Sequence, residues 1–160
     1  MKKFILLLFS INILFFLSSC GSEKAKEVEV KNLPEGFTLS KKSPSQFSFE
    51  IKEAGKFSFG LGVVYFNQQM QHFDVLKFMG QVTGEGGNKI DWTTDITIKD
   101  EKGWAGTPNN EEKMDWLIEK EIGATAELIA GKYNCTVQPA ESESRDIPGM
   151  VELRFIVYKE

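Results

Sequence analysis

Histidine and cysteine are nearly missing from this chain: His72 is the one imidazole, and Cys20 and Cys135 are the only thiols. A zinc site of paired cysteines needs more sulfur than that, and so does a disulfide framework. Positive charge is also short, with 19 Lys and Arg against 23 Asp and Glu. Nucleic-acid binding calls for a clustered basic patch, so no nucleic-acid partner is expected. The glycine-rich stretch Gly84-Glu85-Gly86-Gly87-Asn88-Lys89 lacks the Gly-Lys-Ser/Thr that a phosphate loop requires and reads as a hairpin loop. There is no internal repeat. Long apolar runs are absent except at the start of the chain.

That start is informative. Met1-Lys2-Lys3 precedes an apolar stretch from Phe4 to Leu17, broken only by Ser10 and Asn12. A positive start, a hydrophobic run and a small-residue region describe an export signal. A membrane-spanning helix would need about 20 mostly apolar residues, more than this run supplies. It ends at Leu17-Ser18-Ser19-Cys20, the lipobox order of an aliphatic residue, two small ones and Cys. Cys20 is therefore the expected lipidation site, its thiol taking a diacylglycerol after residues 1–19 are removed. Each buried methylene contributes roughly 0.8 kcal/mol, so two or three acyl chains, palmitate among them, hold a soluble domain at a membrane. Gly21 follows, where the enterobacterial sorting rule places Asp for inner-membrane retention, so the expected location is the outer membrane. Either face of that membrane is open.

Removing Lys2 and Lys3 leaves 17 basic residues against 23 acidic ones, a net charge of −6. Residues 20–32 are charged and small-residue-rich and read as the lipidated Cys and a tether, in whose later part Val28-Glu29-Val30 alternates like an edge strand. Residues 33–160 then form one domain of ordinary size.

Period-2 alternation dominates this domain. Phe47, Phe49 and Ile51 share one strand face; Phe57, Phe59, Leu61, Val63 and Tyr65 share another, with Gly60 and Gly62 opposite. Val75 to Met79, Trp92 to Ile98, Tyr133-Cys135-Val137 and Val151-Leu153-Phe155-Val157 add further strands. Turn residues separate them at Ala54-Gly55, Gly84 to Asn88, Asp100 to Gly103 and Ile147-Pro148-Gly149. The expected fold is all-β, an antiparallel β-sandwich of jelly-roll or immunoglobulin-like order with at most one short helix. Asn110 to Ala130 fits least well. Met114, Leu117 and Ile118 lie on one helix face, and the expectation is a loop or short helix, then a strand near Glu127 to Ala130.

No catalytic set emerges. His72 has neither nucleophile nor carboxylate beside it in sequence and reads as a surface histidine. Cys135, on the apolar face of its strand, reads as a core thiol. Asp95, Asp100, Glu101 and Glu111 lack a calcium-loop spacing and read as turn residues. No metal, cofactor or enzymatic activity is expected. Trp92, Trp104 and Trp116 stand out, lying before, within and after one polar loop region. Aromatics of this kind bind partners or sugar faces when exposed and close a small core when buried. They are the candidate interaction residues, and for Trp104 closure of the core is the favoured role.

Taken in order, several segments resemble the gliding-motility-associated lipoproteins of Bacteroidetes, the H type. Leu33-Pro34-Glu35-Gly36, then Pro44 and Phe47-Ser48-Phe49-Glu50-Ile51, are similar to that family's opening. Asp100-Glu101-Lys102-Gly103-Trp104-Ala105-Gly106 resembles its turn with Trp. Gly131 to Gln138 and Pro148-Gly149-Met150-Val151-Glu152-Leu153 resemble its closing strands. The middle departs: the family's Arg-Asn turn would fall near Phe66-Asn67, where only Asn67 is present, and its first-strand Trp is replaced by Phe37 or Leu39. The resemblance implies an envelope accessory role beside gliding and surface-secretion machinery, with protein partners and no catalytic residues to carry over. The alternatives are a lipoprotein binding a glycan or peptide through its Trp loops, and a hydrolase built on a carboxylate pair.

Overall fold

The computed structural model describes residues 25–33, 37–84 and 86–160. The export signal, Cys20 and the first part of the tether lie outside the described residues, as do Pro34 to Gly36 and Glu85.

The strands are β1 (Ala25–Asn32), β2 (Ser45–Ile51), β3 (Gly55–Phe66), β4 (Val75–Gly84), β5 (Lys89–Thr97), β6 (Lys99–Asp100), β7 (Gly103–Trp104), β8 (Thr107–Pro108), β9 (Asp115–Leu128), β10 (Gly131–Pro139) and β11 (Met150–Lys159). A single 3-10 turn at Asn67–Gln69 is the only helical element among the described residues. Five strands make one sheet in the order β1-β11-β3-β9-β8, four make the facing sheet in the order β2-β10-β4-β5, and β6 pairs with β7 apart from both. The long strands pair as nested antiparallel couples: β1 with β11, β2 with β10, β3 with β9, β4 with β5. Between consecutive long strands the chain changes sheet at every link except the β4–β5 hairpin. This is a doubled ribbon rolled into two layers, the jelly roll, which settles the two orders left open by the alternation pattern.

The alternation supplies the layers. In β2 the inward set Phe47, Phe49 and Ile51 is buried while Gln46, Ser48 and Glu50 are exposed. Phe59, Leu61, Val63 and Tyr65 of β3 are all fully buried. Phe155 of β11 forms the centre of the core, with ring centroids 5.6 Å from Phe59 and Phe49, 6.1 Å from Phe47 and 6.5 Å from Trp92. Both sheets therefore meet on one phenylalanine, and each such aromatic contact adds roughly 0.5–1.5 kcal/mol beyond its burial.

Two expectations are corrected. Asn110 to Ala130 is neither helix nor mainly loop: β9 runs Asp115–Leu128, with Leu117 and Ile118 paired to Val64 and Val63. Its alternation is obscured because β9 carries two more residues than β3 between Ser58/Thr125 and Gly60/Glu121, and Gly123 takes φ 72° there. The folded domain also begins before residue 33. Ala25 to Asn32 pairs residue by residue with Lys159 to Glu152, so the later tether is the edge strand that Val28-Glu29-Val30 suggested, longer than those three residues.

Candidate functional site

The three tryptophans divide into two groups. Trp92 is 5 % exposed on the inner face of β5, in the row with Thr94 and Ile96, and so leaves the set of interaction residues. Its ring lies over Gly80, the residue paired to it on β4: a Cβ at Gly80 would stand 2.2 Å from the Trp92 ring and 2.4 Å from the Thr136 carbonyl oxygen. Its indole N–H reaches no oxygen acceptor and interacts only weakly with the Cys135 sulfur. Burial pushes that thiol up to about 12, the Trp92 N–H countering only part of the effect. Cys135 is thus a core thiol with no thiolate at ordinary pH.

Trp104 and Trp116 are partly exposed and converge on Tyr65. Trp116 on β9 is the cross-strand partner of Tyr65, and the Trp104 ring lies 6.0 Å from the Tyr65 ring at 50°. The Tyr65 hydroxyl shares its proton between the carbonyls of Ile98 (3.1 Å) and Ala105 (3.0 Å), while the Ala105 N–H donates to the Ile98 carbonyl at 2.9 Å. Burial raises the Tyr65 hydroxyl well above its ordinary pKa. The β6–β7 hairpin pairs Lys99 with Trp104, and the Lys99 ammonium sits 5.5 Å over the indole. Trp116 donates its indole N–H to the Lys113 carbonyl at 3.0 Å and pairs with Pro108 of β8. Asn110 ties the adjoining loop, accepting the Met114 N–H at 3.0 Å and donating to the Asp115 carboxylate at 3.1 Å. These residues form an aromatic end cap, packed on the core below and open to solvent above. The sequence named both tryptophans but not Tyr65, which joins them; the signal was its place as the last inward residue of β3.

The other candidates stay apart. His72 is exposed, and its carbonyl accepts from Arg145 at 3.3 Å. No cluster of three or more His, Cys, Asp or Glu positioned for a metal exists among the described residues. On the outer face of the five-stranded sheet Arg154 lies across Gly62, bonded to Glu152 and to Glu119 (3.2 Å), which also takes Lys26 at 2.8 Å. Burial alone would raise the Glu119 carboxyl, but the hydrogen bonds and charges of Lys26 and Arg154 together hold it below the usual range. An open cleft of about 580 Å³ between the β1 and β2 edges is floored by the stacked Phe49 and Tyr133 rings, 5.5 Å apart, with Glu27, Glu29 and Glu50 on its rim.

No protein-family model matches the chain, and no curated protein does. Solved structures with a similar fold include the globular domain of zebrafish complement 1qA, 12 % identical, covering 86 % of this chain and 100 % of that one, with a TM-score of 0.42. An α-L-fucosidase from Vibrio sp. strain EJY3 is 16 % identical over 84 % of this chain and 23 % of its own, with a TM-score of 0.42. A family 35 carbohydrate binding module from Clostridium thermocellum is 11 % identical over 83 % and 91 %, with a TM-score of 0.38.

Proposed function

We propose that the chain is a lipid-anchored accessory protein of the cell envelope, without catalytic activity, that works by binding a protein partner at its aromatic end. The observation that carries this reading is the arrangement of the strand ends. β1 begins five residues after Cys20, at the end of the roll where Ala25 pairs with Lys159 and Lys159 with Phe57. Trp116 and Trp104 lie at the opposite end, beside Tyr65 near the close of β3. Phe57 and Tyr65 are eight residues apart on β3, so at about 3.3 Å per residue the two ends are separated by roughly 26 Å. A lipid on Cys20 therefore holds one end at the bilayer and presents the aromatic end to whatever stands above it. Partly exposed tryptophan is among the side chains that contribute most at protein interfaces. The ordered resemblance to gliding-motility-associated lipoproteins supports an envelope role near motility or surface-secretion machinery.

The test is site-restricted photocrosslinking of the lipidated protein in its native envelope. A photoreactive side chain at Lys113 or Thr107 should give a discrete protein adduct, and one at Thr136, on the outer face of the four-stranded sheet, should not. Equal adducts from all three positions, or none, would reject the aromatic end as the interface. In the same cells Cys20→Ser should release the protein from membranes after a high-salt wash; retention would reject the anchor.

A further inference from the structure

Ile129 is the one large hydrophobic side chain exposed among the described residues, at 64 %. It occupies the two-residue link Ile129–Ala130 that carries the chain from β9 to β10, from one sheet to the other. The link is firmly held. Leu128 before it is 3 % exposed, and the Tyr133 hydroxyl donates to the Ile129 carbonyl at 3.0 Å. The Ile129 side chain is therefore exposed on a fixed corner rather than on a loose loop.

That corner lies at a particular end of the roll. Leu128 pairs with Gly55, Gly131 with Ile51, and Phe57 with Lys159, which also pairs with Ala25, the first residue of β1. Ile129 is thus at the end where the chain leaves towards Cys20, opposite Trp104 and Trp116. Four residues separate Cys20 from Ala25, and the five steps between them reach at most about 17 Å when fully extended. The charges at this end are mixed: exposed Lys56 pairs across the ladder with Glu127, exposed Lys132 with Glu50, and Lys52 is followed by Glu53.

We propose that the Ile129–Ala130 link is a membrane-contact tip, resting on the lipid surface that anchors the protein, with Ile129 entering the boundary between headgroups and acyl chains. The proposal rests on acylation of Cys20. A second copy or a protein partner is a poor match for this corner, because a stable protein interface buries about 1,200–2,000 Å² and one isoleucine supplies a small fraction of that. A lipid surface needs only a shallow apolar contact once a short tether keeps the tip beside it at high effective concentration.

The acylated full-length protein is reconstituted in phosphatidylethanolamine–phosphatidylglycerol vesicles, some of whose lipids carry a quencher near the headgroup. A fluorophore on Ala130→Cys reports the tip, and one on Thr107→Cys reports the far end; the buried Cys135 does not take label. The expected result is at least a twofold loss of emission at position 130 and none at 107, with the loss abolished by adding Ile129→Ser. Equal emission at both positions while the protein floats with the vesicles would overturn the proposal and leave the anchor standing. Quenching that survives Ile129→Ser would overturn it too. Acylated protein that fails to float would instead sink the anchor reading, and the tip with it.

Discussion

At the scale of single residues, the core depends on a glycine as much as on its aromatics. Gly80 sits mid-strand, and the strand tolerates it because the Trp92 ring occupies the space its side chain would fill. Gly80→Ala adds one methyl group and gains almost nothing from it, since that methyl meets backbone oxygen as well as the ring. Inserting a methylene into a packed core costs about 1–3 kcal/mol, and the 2.2 Å approach places this site at the upper end. Urea denaturation should show a loss of about 3 kcal/mol, and a loss under 1 kcal/mol would mean the ring moves freely. Cys135 gives a second expectation, in pH. Its folded pKa, pushed up to about 12, lies above the ordinary value of 9. Below pH 9 both folded and unfolded chains keep the proton, and the thiol adds no pH dependence. Above it the unfolded chain loses the proton first, so stability falls by up to about 1.4 kcal/mol per pH unit until the folded pKa is reached. Between pH 8 and pH 10.5 the wild type should lose about 2 kcal/mol more than Cys135→Ala. Equal losses would place the thiol in contact with water.

At the scale of elements, legibility in the sequence followed the regularity of the ladder. β2 and β10 could be read directly, because each alternates without interruption over one buried face; β11 alternates from Leu153 to Val157, but a register shift between Met150 and Glu152 buries Met150 rather than Val151, and Ile156 is buried on the other face. β9 could not: its Glu-Lys-Glu run is exposed, and the two extra residues around Gly123 shift the alternation partway along. Of the two roles open to Trp92 the structure takes the core one, and the cue was present, since Trp92, Thr94 and Ile96 already fall on one side of a period-2 strand. For Trp104 the hairpin of β6 and β7 is too short to be held by its ladder, and the indole fixes it by lying on Tyr65. Truncating a fully buried Trp costs about 3–5 kcal/mol, and partial exposure reduces the expectation for Trp104→Ala to about 2 kcal/mol. Tyr65→Phe removes the shared hydroxyl proton from two carbonyls and should cost about 1–2 kcal/mol. Because the two residues touch, the double variant should fall short of the sum. Thermal unfolding of the four proteins measures this coupling; strict additivity would show that the Tyr65 hydroxyl and the Trp104 indole hold the hairpin independently.

At the scale of the whole molecule, the nested pairing joins residues that are far apart in sequence, and nothing local could have announced it. The outermost couple brings Ala25 to Lys159, so the first and last strands of the domain close the same sheet together. Reading the domain as starting at residue 33 would discard β1 entirely. That cut leaves the whole β1-side edge of β11 without its eight ladder partners, and an open, long strand edge invites pairing with other chains. It also uncovers the surroundings of Ile156, fully buried although it faces away from the core, paired to Val28 on one side and Gly60 on the other. Two soluble forms test this, one starting at Lys24 and one at Leu33. The longer form should unfold cooperatively and remain monomeric. The shorter should be destabilised by several kcal/mol, given a net contribution of about 0.5–1.5 kcal/mol per lost hydrogen bond, and should associate as concentration rises. Matching transitions and matching monodispersity would reduce β1 to a tether that merely lies against the sheet. On the proposed acylation of Cys20 the anchor would then gain slack: 12 residues would separate Cys20 from Leu33, a reach of about 40 Å when extended, and the end bearing Ile129 would no longer be held close to the lipid.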